Sequence, residues 1–137
     1  MIAVAFVNGS YFKDTEHYGY AAEVFLNKEK HIVRGSGNES ALTKMWSIGA
    51  KLKGTEEAIK KAIELKAEKV IVVNNLDFLE ELVYGICKPR SKGNVDFSLF
   101  LKSAKEKIKI VVRRPTSPQE IKKLEELRIL ARETLGL

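Results

Sequence analysis

Short apolar runs separated by polar turns fill the first third of the chain, and a helical period follows. Residues 2–7 (IAVAFV) form a continuous run of small, branched and aromatic side chains, the pattern of a buried strand. It ends at Asn8-Gly9-Ser10, where the glycine predicts a turn. Residues 18–26 (YGYAAEVFL) and 29–35 (EKHIVRG) read as two more strands joined by a tight turn at Asn27-Lys28, so the three predict an antiparallel meander. Met45, Ile48, Leu52, Thr55, Ile59 and Ile63 then recur at spacings of three and four, which predicts one long amphipathic helix over about 43–66.

Residues 69–73 (KVIVV) predict a central strand and 76–84 a shorter helix. The Gly, Pro and charge content of 85–94 (GICKPRSKGN) marks a loop. A helix over 95–106, a strand over 107–113 (KIKIVVR), a loop at RPTSP and a final helix over about 119–135 complete the order, with Pro118 in its first turn. No repeat or linker interrupts it, so the 137 residues are expected to form a single domain.

Composition adds context. Apolar residues make up 45% of the chain, enough for a core, and charged residues 31% with a single glutamine, Gln119, a mix that leans toward a heat-adapted source. One cysteine, Cys87, excludes an intramolecular disulfide and fits a reducing compartment. The N-terminal apolar run is too short for a signal-peptide core, and no stretch reaches membrane-span length, so a cytoplasmic location without membrane contact is expected.

Charge changes the picture more. The net +6 arises wholly from residues 85–118, where Lys88, Arg90, Lys92, Lys102, Lys105, Lys107, Lys109, Arg113 and Arg114 face only Asp96 and Glu106. A basic segment of this kind attracts polyanions, nucleic acid first among them, against the plainer reading of a solvated face. Trp46, at the start of the long helix, is expected in the core, with stacking or packing against the sugars of a bound strand as its alternative, a role Tyr11 could share. Cys87 lies beside Lys88 and Arg90 but has no histidine near it, since His17 and His31 belong to the early strands, and it reads as an ordinary thiol. The GSGN at 35–38 lacks the spacing of a phosphate loop and reads as a turn.

The element order, three strands, a long helix, a strand, a short helix, a basic loop, a strand and a last helix, resembles the ribonuclease H family. Local sequences agree with it: FVNGSY resembles the family's strand-ending Asp-Gly-Ser, and YGYAAEVF its second strand. GSGNESALTKMWSIGAKLKGTEEAIKKAI looks like the approach to its main helix, VIVVNNLDFLEEL like the strand ending in Asp, and EELRILARETLGL like the C-terminal helix. The resemblance implies an α/β, ribonuclease H-like fold: a five-stranded mixed sheet, three strands antiparallel and two parallel, with flanking helices.

The family cuts the RNA strand of RNA–DNA hybrids with four carboxylates that hold two divalent cations. Matched position by position, those carboxylates fall on Asn8, Lys51, Asn75 and Arg128, and RPTSPQE lacks the family's flexible histidine. A charge of −4 thus becomes +2. Ammonium and guanidinium offer no lone pair to magnesium, and a cation about 4 Å from Mg²⁺ is repelled by roughly 8 kcal/mol at an effective dielectric of 20. The resemblance therefore implies a nucleic-acid-binding protein, for hybrid or duplex, without metal, cofactor or metal-dependent cleavage. Its candidate contacts are Asn8, Gly9, Ser10, Lys51, Asn75, Lys88, Arg90, Lys92, Arg113, Arg114 and Arg128. Trp46-Ser47 departs from the family's Arg-Asn there, which bears on recognition of an RNA 2′-hydroxyl.

Three other readings stay open. Asn8 and Asn75 could simply cap strand ends while Lys51 and Arg128 reach solvent over apolar neighbours. The fold could serve as a protein-interaction or dimerisation module through an exposed apolar patch at Phe78, Leu79, Leu82 and Tyr84. An active nuclease would need other acids, drawn from Asp14, Glu16, Asp77, Glu80 and Glu81.

Overall fold

The computed structural model describes residues 1–136 and arranges them around a five-stranded sheet. Strands β1 (Ile2–Phe12), β2 (His17–Leu26) and β3 (Glu29–Gly37) form the antiparallel meander; β4 (Lys69–Val73) and β5 (Lys109–Arg113) lie parallel to β1. The sheet order is β3-β2-β1-β4-β5. Helices α1 (Ser40–Thr43), α2 (Ser47–Glu64), α3 (Leu79–Val83), α4 (Lys92–Ala104) and α5 (Pro118–Thr134) cover it.

The two-residue period of a strand decides which helix each β1 side chain meets. Ala3, Ala5 and Val7 are fully buried in the main core with Leu52, Ala58 and Ile59 of α2. Phe6 instead packs with Leu124 and Leu127 of α5. Asn8 shares that second face, and Gly9 turns back toward α2. A Cβ at Gly9 would lie 2.6 Å from the Ala50 Cβ and 2.8 Å from the Ala50 carbonyl carbon, so the glycine is a point of close approach within the strand. No turn begins there: β1 runs on to Phe12, with Gly9 paired to Tyr20.

Three further boundaries differ from expectation. GSGN is no turn either, because Gly35 and Gly37 continue β3 beneath the rings of Tyr20 and Tyr18. The long helix is broken at Trp46, whose φ of 57° separates α1 from α2. Met45 and Ile48 pack against the core on either side of the break, so the apolar period runs through it unaltered. Lastly, α4 starts at Lys92, inside the expected loop, because Ser91 caps it by accepting from the Asn94 backbone N–H at 3.2 Å. The turn at Asn27-Lys28 is as expected, both residues having positive φ. Ser117 likewise caps α5, with Pro118 in the first turn.

Candidate nucleic-acid interface

Parallel pairing of β1 with β4 ends at Phe6 and Val73, after which β1 continues and the β4 chain turns away. Asn74 makes that departure rigid. It is buried, its amide donates to Thr55 Oγ1 at 3.2 Å, and its side-chain oxygen accepts from the Leu76 N–H at 3.0 Å. Asn75 is consequently exposed beside β1. A cavity of about 600 Å³ opens here, at the carboxyl end of the parallel strands, where open α/β sheets characteristically take ligands.

Asn8, Lys51, Asn75 and Arg128 all line this cavity, together with Gly9 and Ser10. Lys51 arrives from α2 and Arg128 from α5, so the two helices on opposite faces of the sheet each contribute a cation. Lys13, Glu125 and the aromatic pair Tyr11 and Trp46 also line it. Three cations against one carboxylate leave the lining at +2.

The side chains differ in how they are held. Asn8 is buried, with its Nδ2 donating to the Leu124 carbonyl at 2.7 Å and its Oδ1 accepting from the Gly9 N–H at 2.9 Å. That pair of bonds fixes the amide's orientation and commits its oxygen. Arg128 is clasped by Glu125, Nη2 to Oε1 at 2.6 Å and Nε to Oε1 at 3.0 Å, which holds the carboxyl below its ordinary range. Lys51 has no close carboxylate among the described residues. Partial burial pushes its ammonium below the usual lysine value, and the more distant charge of Asp77 only partly offsets this.

The fold implies a pair of divalent cations at such a place, and the residues present do not fit them. A magnesium site needs several anionic oxygens. Here the Asn8 oxygen already accepts a backbone hydrogen, Lys51 and Arg128 repel cations, and no cluster of three His, Cys, Asp or Glu exists among the described residues. None of the alternative acids Asp14, Glu16, Asp77, Glu80 and Glu81 lines the cavity, and Asp77 pairs with Arg114.

The remaining candidates lie elsewhere. Lys88 and Arg90 are exposed in the loop before α4, and Lys92 pairs with Asp96 at 3.0 Å. Arg113 is held by Glu120 through two bonds of 2.9 and 2.7 Å, and Glu120 also accepts from the Thr116 N–H. Together these push the Glu120 carboxyl down to about 2. Arg114 borders a second cavity of about 500 Å³, which shares Asn8, Asn75 and Glu125 with the first. Charges from outside the basic segment, Asp77 and Glu120, thus neutralise part of it, which a count along the sequence misses.

Two expectations are corrected here. Trp46 is not a core residue; it is 65% exposed at the cavity. The apolar patch expected at Phe78, Leu79, Leu82 and Tyr84 does not form as a surface. Leu79 and Leu82 are core, Phe78 is half-buried, and the exposed Tyr84 uses its hydroxyl to accept from the Val112 N–H on β5 at 3.0 Å. Cys87 is half-buried against the main core. No helix among the described residues is long and apolar enough to cross a membrane. Sequence reasoning missed Lys13 and Glu125, although Glu125 precedes Arg128 by one helical turn, a spacing that signals the pair.

No protein-family model matches the sequence, and no curated protein matches it. Solved structures do match in shape. The N-terminal ribonuclease H domain of a Mycobacterium tuberculosis protein superimposes with a TM-score of 0.79 at 13% identity, over 98% of this chain and 96% of that one. The ribonuclease H of the halophilic archaeon Halobacterium salinarum gives 0.74 at 11% identity, over 99% and 98%. The LC11 ribonuclease H isolated from compost, solved in complex with an RNA/DNA hybrid, gives 0.76 at 12% identity, over 98% and 99%. The strand order, the near-complete coverage and these scores together establish that the chain has a ribonuclease H-like fold.

Proposed function

We propose that this domain binds nucleic acid, RNA–DNA hybrid or duplex, through its phosphate backbone and does not cleave it by a metal-dependent route. The observation that carries the reading is Lys51, a partly buried ammonium with no close carboxylate among the described residues, in a cavity that also holds Lys13 and Arg128. A phosphate there would meet Lys51 as a point charge and Arg128 as a fork, with the exposed Asn75 amide as a further donor. The fold supports this reading because one structure that shares it holds an RNA/DNA hybrid. The misfit between the cavity's charge and a magnesium pair supports the absence of cleavage. Lys88 and Arg90, exposed outside the cavity, would add contacts without sequence preference.

The test is a binding panel of hybrid, duplex DNA and duplex RNA across a salt titration, with and without Mg²⁺. Affinity is expected to fall steeply with salt, with a log–log slope of several units, to be indifferent to Mg²⁺, and to leave the strands intact. Lys51→Ala is expected to weaken binding. Salt-independent or undetectable association would refute the binding reading, and Mn²⁺- or Mg²⁺-dependent cleavage of the hybrid would refute the inactive one.

A further inference from the structure

Trp46 is the chain's one tryptophan, and it stands 65% exposed at a cavity that carries three cations. Its backbone, at φ 57° and ψ −132°, lies outside the regions a bulky side chain ordinarily occupies. Such a conformation persists only where its surroundings impose it. Here the Trp46 N–H donates to the Thr43 carbonyl at 3.1 Å, and the Trp46 carbonyl accepts from the Ala50 N–H at 3.4 Å, so both ends are anchored to flanking helical turns. The result is a large indole displayed at the cavity instead of folded into the core. Tyr11, half-buried, supplies a second ring in the same lining.

Aromatic rings interleaved with cations are how proteins hold unpaired strands: bases stack on the rings while phosphates meet Lys and Arg. Inside a duplex each base has both π-faces covered by its neighbours, so an indole can stack only on an unpaired, terminal or flipped base. The cavity volume of about 600 Å³ suits one small organic ligand and not the width of a double helix. We infer that this cavity takes one unpaired nucleotide, its base against Trp46 and its phosphate on Lys51, so that a single strand or a duplex with an overhang is held more tightly than a blunt duplex. The inference rests on the nucleic-acid reading above and sharpens it. The rest of a bound duplex would lie outside the cavity, against groups such as Lys88 and Arg90.

Because the chain has one tryptophan, its emission reports on this site alone. The experiment titrates the full chain with four probes: a ten-thymidine single strand, a blunt duplex annealed from two separate strands, the same duplex with a single-stranded overhang, and free thymidine monophosphate. Indole emission and probe anisotropy are read together. Emission is expected to be quenched by the single strand and the overhang but not by the blunt duplex. Trp46→Ala should weaken binding of the overhang probe by about tenfold or more, while Trp46→Phe keeps most of it. Quenching by monophosphate as tight as by the oligonucleotide would overturn the strand in favour of a free nucleotide. If the blunt duplex binds in a salt-dependent manner but neither the single strand nor the overhang quenches emission and Trp46→Ala binds overhangs like wild type, the inference is wrong and the duplex-binding function stands. If no probe binds at all, both fall.

Discussion

The Asn8 side-chain amide donates to the Leu124 backbone carbonyl at 2.7 Å and so ties β1 to α5 across the sheet. An aspartate at this position could not make that bond while ionised. The amide at the end of the first apolar run is therefore a structural fastener, a role an ionised carboxylate would lose. Asn8→Asp is expected to destabilise the domain by about 1–3 kcal/mol at neutral pH, through lost donation and a carboxylate facing a carbonyl. At acid pH the protonated carboxyl can donate again, so the deficit should shrink. Thermal unfolding of both proteins as a function of pH checks this.

Lys51 is expected to make stability and binding pull in opposite directions. Burial lowers its pKa, so the unfolded chain holds the proton more tightly than the folded one, and the domain gains stability as pH rises from the lowered value toward the ordinary one near 10.5. Lys51→Met removes the charge and keeps the apolar stem. It should raise the melting temperature by up to a few degrees, about what 1 kcal/mol or less gives, while weakening nucleic-acid binding. Calorimetry and anisotropy on one preparation would show both shifts.

Glu120 governs part of the acid limb. Its carboxyl is lowered from 4.5 to about 2 by Arg113 and the Thr116 N–H. Its contribution is fully present above pH 4.5 and is lost as pH falls toward 2. After allowance for solvent screening, Glu120→Gln should cost about 1 kcal/mol at neutral pH. The two proteins should converge at pH values near and below 2, as acid denaturation curves would show.

Gly9 sets the distance between β1 and α2. Gly9→Ala places a methyl against Ala50 and the backbone of Lys51, and overpacking of this kind costs about 1–3 kcal/mol. Ala50→Gly should rescue only part of the loss, because the Lys51 nitrogen would still lie 2.9 Å from the new Cβ. Urea denaturation of the single and double variants would separate the two clashes.

Strand and helix identities were legible from local patterns: the continuous IAVAFV run, the apolar stretch of 18–26, the three-four spacing of α2. What the sequence hid were features set by contacts between distant residues. Trp46 lies in a helical pattern whose apolar positions continue across it, so the break and the exposed indole leave no trace in periodicity. Gly9 resembles a turn glycine, yet it is needed because a helix some forty residues on presses against it. The convergence of Asn8, Lys51, Asn75 and Arg128 was readable only through the resemblance to a fold, since no local spacing connects them. Likewise, the basic count over 85–118 could not foresee that Asp77 and Glu120 reach in from other segments.

Glu125 gives the cavity a property that a tally of basic side chains would miss. An anion that takes the Nε–Nη2 edge of Arg128 must displace a carboxylate already seated there, so capture on that edge is an exchange and not an addition. Fewer small ions are then liberated than the number of basic groups touched, and the grip has a built-in rival. On the proposed reading, that rival would favour a partner that is visited and left.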